Sequence, residues 1–185
     1  AKKIYEEDYY KKNQLDKVEN DKIALSICDF SVNSGSYGVR KAQETLNKIN
    51  GTNLKVDGVL GEKTLEALNE INPETFLKEY HNIFENRRKK VYELFNSIPG
   101  VSMSMPESSF MSWVNISKLG TSSEIYQYLI KEANVIVNEG TPYGAQGEGY
   151  LRIIHGAYKD EKRLIQALNK IKVALTKLAM EKGIQ

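Results

Sequence analysis

The chain has 185 residues, 41% of them hydrophobic and 27% charged, with 26 basic against 24 acidic residues and a net charge of +2. That length suits one mid-sized domain or two small ones, and so even a balance leaves no cationic excess for phosphates, which argues against a nucleic-acid partner. One cysteine and two histidines allow no disulfide within the chain and suggest no metal site, and no apolar run approaches a membrane span.

The N-terminal "AKKIYEEDYYKK" is charged and has no apolar h-region, so no signal peptide is expected and the chain is read as cytoplasmic as expressed. "IYEEDYYKKNQLDKV" places Ile4, Tyr5, Tyr9, Tyr10 and Leu15 at near-helical spacing. "NDKIALSICDFSVNSG" carries Ile23, Ala24, Ile27, Phe30 and Val32 and stops at Asn33-Ser34-Gly35, a helix ending. Cys28 lies in this apolar helix and reads as a buried, inert thiol. "SYGVRKAQETLNKI" sets Val39, Ala42, Gln43, Leu46 and Ile49 on one side, and an Asn/Gly-rich loop then leads to a helix from about Gly61. Asn72 caps the next helix, with Pro73 at its first position; it is expected to reach Pro99-Gly100.

Beyond Gly100 the texture changes. "SSFMSWVNI" alternates and reads as a strand, "TSSEIYQYLIKEAN" as a helix capped by Thr121 or Ser122, and "VIVNEG" and "GYLRIIHG" as two further strands. "KDEKRLIQALNKIKVALTKLAMEKG" is a long closing helix with Leu164, Ile165, Leu168, Ile171, Leu175 and Leu178 on its apolar face.

Two stretches carry chemistry. In "VDGVLGEKTLEAL", Asp57-Gly58 makes a tight turn and Gly61 allows a second before a helix. This resembles the three-helix peptidoglycan-binding fold. With Asp29, Val32, Asn33 and Gly35 upstream, residues 1–80 are similar to the C-terminal part of glycoside hydrolase family 108, the lysozyme-like N-acetylmuramidases. The resemblance implies a glycan groove formed by Asn33, Tyr37, Asp57, Gly58 and Gly61, although those last three residues equally suit a turn with no ligand. The family's catalytic Glu-Gly-Gly-Tyr element does not occur, and Glu6 and Glu7, among lysines, read as a solvated face. No catalytic residue is therefore assigned.

The second stretch is "YGAQGEGYLRIIHGAY", which sets glycines before a lone cation, Arg152, in an apolar run. Together with "PESSFMSWVNISKLG" it makes residues 81–185 resemble the small domain of class I/II aminotransferases, enzymes dependent on pyridoxal phosphate. The resemblance implies that Arg152 binds a substrate carboxylate, for which a planar guanidinium is suited. From the residues alone, a strand arginine paired with Glu148 or Glu107 serves as well. The family's Ser-x-x-Lys element, which forms the Schiff base, does not occur, so no cofactor is expected on this chain itself; pyridoxal phosphate enters by the resemblance of the C-terminal half. His155 reads as a packing or rim residue and His81 as solvated.

The expected fold is α+β: a helical N-terminal module, residues 1–80, joined through a long helix to a small α/β sandwich-like C-terminal domain, residues 81–185, whose short sheet is covered by two helices. The expected function is peptidoglycan binding fused to a non-catalytic aminotransferase-like domain, a chimera of two partial families. A lysozyme-like hydrolase and an aminotransferase fragment are the alternatives. No membrane partner is expected, and the sheet face bearing Arg152 and Trp113 invites self-association.

Overall fold

The computed structural model describes residues 2–156 and 160–185. The fold is α+β, and the chain forms two compact units, Ala1–Ile83 and Phe84–Gln185.

In the first unit a single α-turn, α1 (Lys2–Ile4), runs into a π-helical stretch, Tyr5–Lys11. The expected helix breaks there: the Lys12 amide reaches back five residues to Glu7 O, and Gln14 takes the left-handed φ of 57° before a short turn at Leu15–Lys17. Helix α2 (Asp21–Ser34) begins where Asn20 Oδ1 accepts from the Lys22 and Ile23 amides at 3.1 and 3.2 Å and ends at Gly35 with φ 60°. Helix α3 (Tyr37–Asn50) packs against it, and α4 (Glu62–Glu70) follows the glycine-rich loop. The expected face of α3 is inward, with Val39, Ala42, Gln43 and Leu46 buried. Helix α5 (Pro73–Asn96) starts at Asn72, whose Oδ1 accepts from the Thr75 amide at 3.0 Å. Its Phe76 and Tyr80 complete the core of this unit, with Tyr80 stacked on Phe76 and edge-on to Phe30.

The second unit holds a three-stranded antiparallel sheet of order β1-β3-β2: β1 (Met111–Asn115), β2 (Asn138–Glu139) and β3 (Tyr150–Ile154). Two helices cover it, α6 (Ser122–Ala133) and α7 (Glu161–Glu181). Val114 of β1 with Leu151 and Ile153 of β3 meets Ile125 and Leu129 of α6 and Leu168, Ile171 and Leu175 of α7 in one buried cluster. Along β1 and β3 the intervening residues turn away from that cluster, as the pleat requires, so Trp113 and Arg152 share the uncovered face. Helix α6 opens with the capping box of Thr121 and Glu124. Helix α5 stops at Asn96, short of Pro99, and the Asn96 side chain ties the following turn to it: Oδ1 accepts from the Met103 amide at 3.0 Å and Nδ2 donates to Met103 O at 3.1 Å.

One expected strand is largely missing. Of "VIVNEG" only Asn138–Glu139 forms a strand, followed by the Gly140 amide, which donates to Tyr150 O at 2.9 Å. Asn134 closes α6 in a left-handed conformation and the Val135 amide is drawn back to Leu129 O, so the chain reaches the sheet late. The part of the closing helix expected at Lys159 lies outside the described residues.

Candidate functional site

The centre of the sheet fixes Arg152. Its strand partners are Trp113 on β1 and Asn138 on β2. The guanidinium donates from Nη1 to Tyr143 Oη at 2.9 Å and from Nε to Met111 Sδ at 3.0 Å, with its carbon 4.9 Å from the centre of the Tyr143 ring. Trp113 stands edge-on to Tyr143 and Tyr150, with centroids 5.5 and 6.3 Å apart. A half-buried cation thus lies on an aromatic floor, a setting that holds a guanidinium without neutralising it.

The pairing with Glu148 or Glu107 does not form. Glu148 Oε1 instead accepts from the amides of Ser122 and Gly149, at 2.8 and 2.9 Å, and Arg88 Nη1 donates to the Glu107 carbonyl. Among the described residues no carboxylate forms an ion pair with Arg152. The edge bearing Nη1 and Nη2 therefore keeps donors for an incoming acceptor. Ser122 positions this strand. Its fully buried Oγ accepts from the Gly149 and Tyr150 amides at 2.9 and 3.2 Å and lies 3.0 Å from the Tyr150 carbonyl. Arg87, also buried, anchors the far end by donating from Nη1 to the carbonyls of His155 and Gly156 at 3.1 and 3.0 Å.

Two clefts flank the face. One of about 600 Å³ runs along β1 past Trp113, Met105 and Ser109. The other, about 580 Å³, lies between the segment after α6, the edge of β3 and α7. Lys170 lines the second with Arg152 and is exposed. Every lysine of the described residues is exposed or half-exposed. None offers the buried, desolvated amine that covalent capture of an aldehyde cofactor requires, so these residues do not fit pyridoxal phosphate as its covalent anchor.

In the first unit Asp57 and Gly61 line a shallow groove of about 340 Å³ together with Lys55 and Lys63. The Asp57 carboxylate accepts from Gln43 Nε2 and the Val59 amide, each at 3.0 Å, and these bonds hold its pKa below the usual carboxylate value. Gly58 takes φ 82°, and a Cβ there would come within 3.0 Å of Ser36, so glycine is required. Gly61 has φ −78° and open space around it; its turn needs no glycine.

Two members of the expected glycan groove do other work. Tyr37 is only 7% exposed and its ring meets Phe30 edge-on at 5.4 Å; the reason is its place at the start of α3, whose inner face closes on α2, so it presents no ring to a ligand. Asn33 is exposed on α2 and donates back to Asp29 O at 2.9 Å. Glu6 and Glu7 are exposed and pair with Lys11 at 3.1 and 2.9 Å. Cys28 is half-buried, and burial raises its pKa. Among the described residues no cluster of His, Cys, Asp and Glu could hold a metal, and no helix is long and apolar enough to cross a membrane.

The residues that sequence reasoning missed are Tyr143 and Met111. Tyr143 stood in the quoted glycine-rich stretch, but nothing in its spacing marks it as the bond partner of Arg152.

Comparison with known proteins places these features. The family model "Aminotransferase class I and II" matches residues 34–171, and "Glycosyl hydrolase 108" matches residues 1–35. Each family of the composite reading thus has a model that matches part of the chain, the first over most of it and the second over its first 35 residues. The aminotransferase match takes in residues 34–80 as well, and with them the Asp57–Gly61 turn. An aspartate aminotransferase of Pyrococcus horikoshii is 36% identical over 112 residues, 60% of this chain and 28% of its own length. An LL-diaminopimelate aminotransferase of Maridesulfovibrio salexigens is 36% identical over 110 residues, 60% of this chain and 27% of its own. The solved aspartate aminotransferase of Rhizobium meliloti superposes with a TM-score of 0.50 at 26% identity, covering 61% of this chain and 30% of that one. The chain therefore spans under a third of the length of these relatives.

Proposed function

We propose, because this chain belongs to the aminotransferase class I and II family, that its 84–185 unit is a carboxylate-binding domain whose ligand-binding group is Arg152. The observation that carries this is the guanidinium itself: held by Tyr143 and Met111 on an aromatic floor, with no carboxylate of the described residues paired to it. A cation kept so is stabilised by a ligand that brings the counter-charge, and a carboxylate matches its planar pair of donors. The relatives are named for aspartate and diaminopimelate, both amino acids bearing carboxylates, and an amino or oxo acid is the ligand class we assign. Pyridoxal phosphate, the cofactor of the resembled family, would supply the electron sink for such a substrate when bound. The residues described here contribute recognition and orientation of the acid.

The test is a titration of the 15N-labelled chain with aspartate and with its diamide, which lacks both carboxylates, following the Arg152 Nε and Trp113 Nε1 resonances. Aspartate should shift both and the diamide neither, and Arg152→Lys should weaken binding by about tenfold, the size of one lost charge-assisted hydrogen bond. Equal response to the diamide would overturn the assignment.

A second reading applies to the first unit. The match of residues 1–35 to glycosyl hydrolase 108 supports a cell-wall reading of this unit, and the groove beside Asp57, which lies outside the matched residues, is assigned as its site on the Asp57-Gly58 motif alone. Co-sedimentation with insoluble peptidoglycan is expected for the parent chain and reduced for Lys63→Glu, an exposed change that leaves the turn intact. Parent chain that stays in the supernatant would exclude this reading.

A further inference from the structure

Arg152 fixes where a carboxylate sits and leaves open which acid carries it. On the same uncovered sheet face runs the cleft of about 600 Å³ along β1, a size that suits a small molecule. Two contacts join this cleft to the cation. Met111 lines the cleft, and its Sδ accepts from Arg152 Nε at 3.0 Å. Trp113 lines it too and is the register partner of Arg152 on β1. Directly opposed side chains on one face of an antiparallel pair stand about 5 Å apart. The side chain of an acid held by Arg152 therefore reaches Trp113 without leaving the sheet face.

The lining of the cleft selects what that side chain is. Its apolar part is Trp113, Met105 and Met111, with Tyr150 and Pro106 beside them. None of these is closed into the core: Trp113 and Met105 are 40% and 38% exposed, and the other three are half-buried. Two thioethers and an indole offer an aromatic ring both ring–ring and sulfur–ring contacts. The polar lining consists of serines and Asn115, and among the described residues no charged side chain lines the cleft. Arg88, beside it, donates to the Pro106 and Glu107 carbonyls and pairs with Glu85. The cations of the other cleft, Arg163 and Lys170, belong to α7, which packs on the covered face of the sheet, whereas the Arg152 side chain lies on the uncovered one. A second carboxylate entering the cleft along β1 would lose water and meet no counter-charge.

We infer that the cleft along β1 is the side-chain subsite for the acid bound at Arg152, and that it selects an aromatic amino or oxo acid over a dicarboxylic one. This rests on Arg152 as the carboxylate anchor. Aspartate still engages the guanidinium but leaves Trp113, Met105 and Met111 in contact with water; a phenyl ring covers them.

The full chain, its four methionines labelled with 13C at the methyl group, is titrated with 3-phenylpropanoate, succinate and 3-phenylpropanamide. The first should bind at least about tenfold tighter than either of the others. Its ring protons should give NOEs to the Met105 and Met111 methyls and none to Met180 on α7. Met105→Lys, at an exposed position, should abolish the preference over succinate, because it removes an apolar wall and supplies the missing cation. 3-Phenylpropanoate binding no tighter than succinate, lacking NOEs to Met105 and Met111, or keeping its full preference in Met105→Lys would each overturn the aromatic subsite and leave the Arg152 anchor standing. The amide binding as tightly as the acid would overturn the anchor instead. Saturable binding by none of the three would overturn both.

Discussion

His155 follows β3 and is completely buried. Burial, with the charge of Arg87 next, pushes its pKa down to about 4, against about 6.5 for a free imidazole. The unfolded chain therefore takes up a proton between these values that the folded chain refuses. Stability should be full above about pH 6.5 and fall as the pH drops toward 4, by roughly 3 kcal/mol in all. Denaturant midpoints from pH 7 to 4 should show this slope, and His155→Gln should flatten it. At the same scale Arg152 was legible in the sequence, because a cation after a run of glycines in an apolar strand is unusual. Its partners were not: Met111 reaches it diagonally across the β1–β3 register and Tyr143 from a separate turn, and neither relation leaves a spacing to read. Tyr37 shows the opposite failure, since an aromatic at the head of a helix looks the same whether it serves a ligand or the core.

Among elements, the helices with side-chain caps were the most readable. Asn72 and Thr121, both read as caps, each accept an amide bond at the start of the helix they precede, so cap residue and apolar period agreed. The sheet was harder, because a strand exists only by its partner. "VIVNEG" has strand composition, yet the end of α6 withholds its first half from pairing. Two substitutions test the joints between elements. Gly38 lies where α3 crosses α2; a Cβ there would collide with Ser31 Oγ and stand 2.8 Å from the Ser31 nitrogen. Gly38→Ala should destabilise the first unit by about 1–3 kcal/mol, seen as earlier amide exchange across α2. Ser122→Ala should cost about 1–3 kcal/mol, because the Gly149 and Tyr150 amides lose their buried acceptor. It should also weaken aspartate binding, since those amides set the start of the strand that carries Arg152.

For the whole molecule, the boundary between the units falls at 83/84, inside α5, and each unit has its own buried core. The cluster of the second unit contains Phe95, fully buried. Phe95→Ala should remove about 3–5 kcal/mol from that unit. The single tryptophan, Trp113, reports on it, so its emission should shift to lower denaturant while amide exchange around Phe30 and Leu46 stays put. The uncovered face bearing Trp113, Tyr143 and Ile154, which are 40%, 50% and 38% exposed, is expected to self-associate at high concentration; sedimentation equilibrium should detect it, and Trp113→Ser should reduce it. The α+β architecture was readable as two textures of sequence. The share of each family was not: the Asp57-Gly58 turn resembles a wall-binding motif, yet it lies within the aminotransferase match and outside the glycosyl hydrolase one, because a tight turn before a helix suits more than one family.

The strand at the middle of the sheet is the last of the three to be made. β1 is complete at Asn115 and β2 at Glu139, while β3 spans Tyr150–Ile154. At ordinary rates of translation β1 is synthesised about 2–8 seconds before β3, the strand it pairs with, is complete. Through that interval its apolar residues have no β3 to pair with, so folding of this sheet waits on the end of the chain.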